Sequence, residues 1–150
     1  MARPITLKVK RLAHGQGLPL PARMTEHSAG FDVCAAVETP AKIKPGEIRL
    51  VPTGFALAIP VGYEAQIRPR SGLATRHGIT MINTPGTIDA DYRGELQVPL
   101  INLGKSAFTI TRGMRIAQML IAPLPAVKLL EVKELDDTAR GKGGFGHTGH

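Results

Sequence analysis

Apolar residues in this chain recur at every second position in short runs, the pattern of half-buried strands. FALAI (55–59) puts Phe55, Leu57 and Ile59 on one side, and YEAQIR (63–68) sets Tyr63, Ala65 and Ile67 against Glu64, Gln66 and Arg68. LQVPL (96–100) alternates again, with Pro99 marking a sheet edge or a bulge. The same reading predicts strands over ITLKVK (5–10), GFDVCAA (30–36), EIRLVP (47–52), AFTITR (107–112), RIAQMLIA (115–122) and LLEVKEL (129–135). Turn signals separate them: KPGE (44–47), PVG (60–62), NTPG (83–86), NLGK (102–105) and RGM (112–114). Strands punctuated this way specify an all-β sandwich or barrel. The 150 residues suit one domain, read as 1–136, without internal repeats. From about residue 136 the composition turns polar and rich in glycine.

One segment breaks the period. In RPRSGLATRHG (68–78), Ser71 is a preferred N-cap residue and Gly78 is placed to end a helix in the left-handed conformation, which predicts a short helix near 71–77. The unpaired N–H groups of its first turn, beside Arg68 and Arg70, suit an anion. A capped connector helix with surface arginines explains the stretch equally well.

Composition narrows the partners. Lys and Arg number 19 against 12 Asp and Glu, a net charge of +7 that favours an anion without naming it. Aromatics are 4% of residues and Trp is absent, so small and branched side chains fill the core and no stacking platform for nucleic acid is available. Cys34 is the only cysteine, which excludes an intrachain disulfide and fits a reducing cytoplasm. The first residues lack the apolar run of a secretory signal, and no stretch is long enough to cross a bilayer, so the chain reads as cytoplasmic and unprocessed.

NTPGTIDADYRGEL (83–96) is the richest segment. It reads as a β-hairpin in which Asp91 starts the turn, while Asp89 is either a solvated strand carboxylate or a general base held on rigid structure. In AGFDVCA (29–35), Phe31, Val33 and Ala35 face inward, which sends Asp32 and Cys34 to the other face; taken alone Asp32 reads as a surface carboxylate and Cys34 as a small core or strand residue. RGMRIAQML (112–120) is a turn and a strand, with Arg115 and Gln118 interrupting its apolar run. RGKGGFGHTGH (140–150) combines mobile glycines, cations and one ring, the composition of a frayed end or of a lid.

Taken together, AGFDVCA, RPRSGLA, NTPGTIDADYRGE, RGMRIAQM and RGKGGFGHTG resemble, in order and spacing, the five motifs of the trimeric deoxyuridine triphosphate nucleotidohydrolases, the dUTPases. The resemblance implies a distorted jelly roll that forms a homotrimer with active sites shared among subunits. It implies conversion of dUTP and water to dUMP and pyrophosphate, with Mg²⁺ as cofactor. Asp89 would be the base that activates water against the α-phosphorus. Asn83, Thr87 and Ile88 would hold uracil, and Tyr92 would lie against the deoxyribose. Arg70, Ser71, Gly72 and Gln118 would bind phosphate, and Asp32 would reach Mg²⁺ through water. In the tail, Arg140 would pair with the γ-phosphate and Phe145 would stack on uracil, while Gly146, His147 and Thr148 would complete the phosphate cradle. Residues 137–150 would then be a flexible lid. His147 stands where many members carry serine. The dCTP deaminases share the fold and form the alternative, but lack a tail like GGFGHTG.

Overall fold

The computed structural model describes residues 4–144, so expectations placed on Phe145, Gly146, His147 and Thr148 lie outside the described residues. Two antiparallel four-stranded sheets share one core. The first orders its strands β1 (Lys8–Arg11), β4 (Ile48–Ala58), β8 (Glu95–Asn102) and β6 (Ile79–Met81). The second orders β2 (Phe31–Cys34), β10 (Arg115–Pro123), β5 (Tyr63–Pro69) and β7 (Gly86–Ile88), and β3 (Ala41–Ile43) pairs separately with β9 (Phe108–Ile110). This is the all-β, jelly-roll-like sandwich, and the alternation behind it is plain in β8. Leu96, Val98 and Leu100 are buried, while Gln97 between them is exposed and Pro99 half-buried.

The core draws on both sheets: Val51, Leu57, Ile79 and Leu100 from the first, Val33, Ile67, Ile116 and Met119 from the second. Each such side chain contributes about 1.5–3 kcal/mol by leaving water. The side chain that continues the buried row of β8 is polar. Asn102 is fully buried, donates to the carbonyls of Ile43 and Ser106 at 2.9 Å each, and accepts from Gly104 N–H at 2.8 Å. With its partners made, it fastens the β8–β9 turn to β3.

Several expectations need correction. The strands expected at 47–52 and 55–59 are one strand, β4, with a bulge: its register against β8 shifts between Pro52 and Ala56, where Gly54 has φ +75°. Gly54 and Gly15 meet backbone to backbone, and a Cβ on Gly15 would fall 2.2 Å from the Gly54 carbonyl oxygen. The hairpin expected over 83–96 is a crossing between sheets, because β7 pairs with β5 and β8 pairs with β4 and β6. Residues 129–135 join no strand, and Leu129, Leu130 and Leu135 are exposed. Pro99 lies in a central strand, at the end of the β6 pairing, where its carbonyl accepts from Ile82 N–H.

The helix α1 (Ser71–His77) forms where expected, and Gly78 closes it at φ +69°. Its N-cap is Arg70 rather than Ser71, with no side-chain cap bond, because the chain leaves β5 only at Pro69. Gly78 and Gly104 touch, and a Cβ on Gly78 would lie 2.4 Å from Gly104 N. That contact seats the C-terminal end of the helix against the β8–β9 turn.

Candidate active site

Asp32 is not a surface residue. It lies on β2 with 6% exposure, because β10 covers it: Arg115 Nη1 donates to Asp32 Oδ2 at 3.0 Å, and Gln118 Nε2 reaches Oδ1 at 3.5 Å. Arg70 Nη2 stands 3.6 Å from the same Oδ2. The register explains the meeting, since Gln118 on β10 lies opposite Asp32 on β2 and Arg68 on β5. Met24, Ser28 and Gly30 complete a cavity of about 320 Å³ around Asp32, Arg70, Arg115 and Gln118. Two guanidiniums against one carboxylate leave it positive. Arg70 Nε is buried there without a hydrogen-bond partner among the described residues, a donor suited to an anionic oxygen. Ser71 and Gly72 open α1 directly after Arg70, both exposed. Cys34, on the same strand as Asp32, has its thiol pKa raised by burial first and by the Asp32 charge second, opposed by Arg115 and Arg70.

A second cavity, of about 310 Å³, lies between the two sheets' ends, lined by Asn83, Thr87, Ile88, Asp89, Tyr92 and Glu95 over a floor that includes Leu50 and Pro99. Asp89 follows β7 immediately and is exposed, and no salt bridge among the described residues involves it. Its carbonyl accepts from Tyr92 N–H at 3.2 Å, so residues 89–92 form a tight turn that carries the carboxylate and the ring together. Tyr92 is 46% exposed, and its hydroxyl donates to the Glu95 carbonyl at 3.0 Å. Exposed backbone beside a flat ring, with one unpaired carboxylate at the rim, suits a planar heterocycle and a bound water.

A family model for dUTPase matches residues 16–149. The deoxyuridine 5'-triphosphate nucleotidohydrolase of Beijerinckia indica is 57% identical over 150 residues, spanning 99% of this chain and 94% of that protein. The chain belongs to the dUTPase family. Among solved structures, the Staphylococcus bacteriophage 80alpha dUTPase with dUPNHPP superposes with a TM-score of 0.87 at 27% identity, over 97% of this chain and 99% of that one. A point mutant of the dUTPase from phage phi11 of S. aureus, described for the coordination of a structural Mg(II) ion, superposes with a TM-score of 0.77 at 24% identity over 87% and 98% of the two chains, a likeness of fold.

In this dUTPase-family chain the two cavities stay apart. Asp32 sits on one edge strand of the second sheet and Asp89 just beyond the other edge strand, with β10 and β5 between. Across the sheet three strand spacings lie between them, about 14 Å, and they are also displaced along the strands, since Asp32 aligns with Arg68 of β5 and Ile88 with Ala65. Arg140 lines neither cavity: its Nε donates to the Gly143 carbonyl at 2.8 Å within a local turn. The sequence reading noted Arg115 as an interruption of an apolar run without giving it a role, and it passed over Glu95 and His14, which are far apart in the chain.

Among the described residues no group of three or more His, Cys, Asp or Glu side chains is placed to hold a metal. Among the described residues Asp32 is the only carboxylate of its cavity, and it faces two arginines. One such carboxylate could supply only one side-chain ligand to a hard cation, so most ligands of any such ion would have to come from a bound anion. No helix among the described residues is long and apolar enough to cross a membrane.

Proposed function

We propose that the chain hydrolyses dUTP to dUMP and pyrophosphate, with Mg²⁺, in a cytoplasmic homotrimer whose active sites are shared between subunits. The observation that carries this reading is the split itself. One cavity suits a base and a sugar, the other suits phosphate, and they open at opposite edges of one sheet. A neighbouring copy that set its phosphate cavity beside this chain's Asp89 would complete both. The extended arm after β10 supports assembly, since Leu124, Val127, Leu129, Leu130, Val132 and Leu135 are at least half exposed and want an apolar partner.

In the proposed reaction Asn83, Thr87 and Ile88 hold uracil, and Tyr92 packs on the deoxyribose. Asp89 takes a proton from a water whose oxygen bonds to the α-phosphorus as the bond to the bridging oxygen breaks, and pyrophosphate leaves. A positioned carboxylate base supplies about two to four orders of magnitude. Arg70, Ser71, Gly72 and Gln118 orient the phosphates, which is most of what phosphoryl transfer asks of a protein. Arg115 holds Asp32 in place, and Asp32 would be the residue that helps to hold Mg²⁺ through water, an ion that would supply charge neutralisation at the phosphates. Residues 137–150 close as a lid, with Arg140 on the γ-phosphate, Phe145 over uracil, and Gly146, His147 and Thr148 against the phosphates.

The deciding experiment offers dUTP and dCTP to the purified protein and assays pyrophosphate and ammonia separately. Pyrophosphate from dUTP alone is expected. Ammonia from dCTP would replace this reading with deamination.

A further inference from the structure

Glu95 is the one carboxylate of the base cavity besides Asp89, and it is held by two donors from distant parts of the chain. His14 Nε2 donates to Glu95 Oε1 at 2.6 Å, bringing together residues 81 positions apart, and Gly54 N–H donates to the same oxygen at 2.8 Å. The Glu95 side chain is 17% exposed and that of His14 30%. Next along β8, the Thr53 hydroxyl donates to the Leu96 carbonyl at 2.5 Å. The start of β8 is therefore pinned to the β4 bulge and to the 3-10 turn Ala13–Gly15.

What this anchor carries is Tyr92. Its hydroxyl donates to the Glu95 backbone carbonyl, and its ring folds back over Gly94, where a Cβ would lie 2.4 Å from the hydroxyl oxygen and 2.6 Å from Cζ. The ring thus has its far end fixed by the carbonyl and its face limited by the glycine. A side chain that clamps Glu95 also fixes the direction of that carbonyl.

We propose that His14 and Glu95 are positioning residues for Tyr92, and that their hydrogen bond sets how strictly the site excludes a ribose 2'-hydroxyl. The inference rests on the reading of Tyr92 as the sugar-facing residue. Neither His14 nor the Glu95 carboxylate contacts substrate in this scheme; both act through the ring. Discrimination against one added hydroxyl is a matter of a close wall, and a wall free to move a few tenths of an ångström loses much of it.

The test compares kcat/KM for dUTP and for UTP in the full-length protein and in His14→Ala, Glu95→Ala and Glu95→Gln, with Tm measured for each. The ratio of dUTP to UTP should fall roughly tenfold in both alanine variants, through a higher KM for dUTP and a gain on UTP. Glu95→Gln, which keeps an oxygen for Gly54 N–H, should restore most of it. Unchanged ratios in folded alanine variants, whatever their Tm, would overturn the inference and assign the pair to stability alone. Should Glu95→Ala not fold, His14→Ala on the half-exposed turn decides. An unsubstituted protein that leaves dUTP intact overturns the underlying reading as well; one that is selective while the variants stay equally selective overturns this inference only.

Discussion

Two aspartates at opposite edges of one sheet live under opposite conditions. Asp32 is buried against Arg115 and Arg70, with its oxygens engaged, whereas Asp89 is exposed and carries no ion pair among the described residues. A carboxylate held by Arg115 and close to Arg70 has its oxygens occupied and serves as an anchor. One left open at the rim of a cavity has both oxygens free for water. The pair teaches that role follows from neighbours, since the two side chains are chemically identical.

The sharpest way to break this comparison is to remove each charge in turn. Asp89→Asn should lower kcat by about two to four orders of magnitude with binding of a non-hydrolysable dUTP analogue and Tm nearly unchanged; near-normal turnover would take Asp89 out of the base role. Cutting the chain after Asp137 should lower kcat/KM by roughly 10²-fold through lost closure while sedimentation shows the same assembly, and a change of assembly would make the tail structural instead. Asp32→Asn should act first on the fold, because it leaves Arg115 and Arg70 without their countercharge. A loss of about 1.5–3 kcal/mol is expected from denaturant unfolding, and an unaltered midpoint would show that the arginines find other acceptors.

The smallest effect concerns Cys34, beside Asp32. Its pKa is raised in the folded chain, so folded protein keeps a proton that unfolded chain loses above the ordinary thiol value. Bound protons are then fewer in the unfolded state, and stability declines as pH rises from that value towards the raised one. Below the unfolded pKa the contribution is complete. Cys34→Ala should flatten this part of the Tm profile above the ordinary thiol pKa, and an identical profile would mean that the thiol is solvated in both states.

Local features were legible residue by residue. The alternation of Phe55, Leu57 and Ile59 specified β4's inner face, and Gly78 marked the end of α1. Where the reading failed, the missing information lay elsewhere in the chain. LLEVKEL alternates like a strand but has no ladder partner, and Asp32 looked solvated because its cover comes from β10, more than eighty residues on. The His14 to Glu95 contact has no local signature at all.

The sequence by itself determined that this chain is a β protein with one short helix and carries the five segments of a dUTPase, because periodicity, turn chemistry and motif order are properties of neighbouring residues. Only the tertiary structure decided which aspartate is buried, which crossing replaces a hairpin, and that the two cavities stand apart in one chain. Those depend on strand order and register, which bring charges together over distances no local pattern encodes.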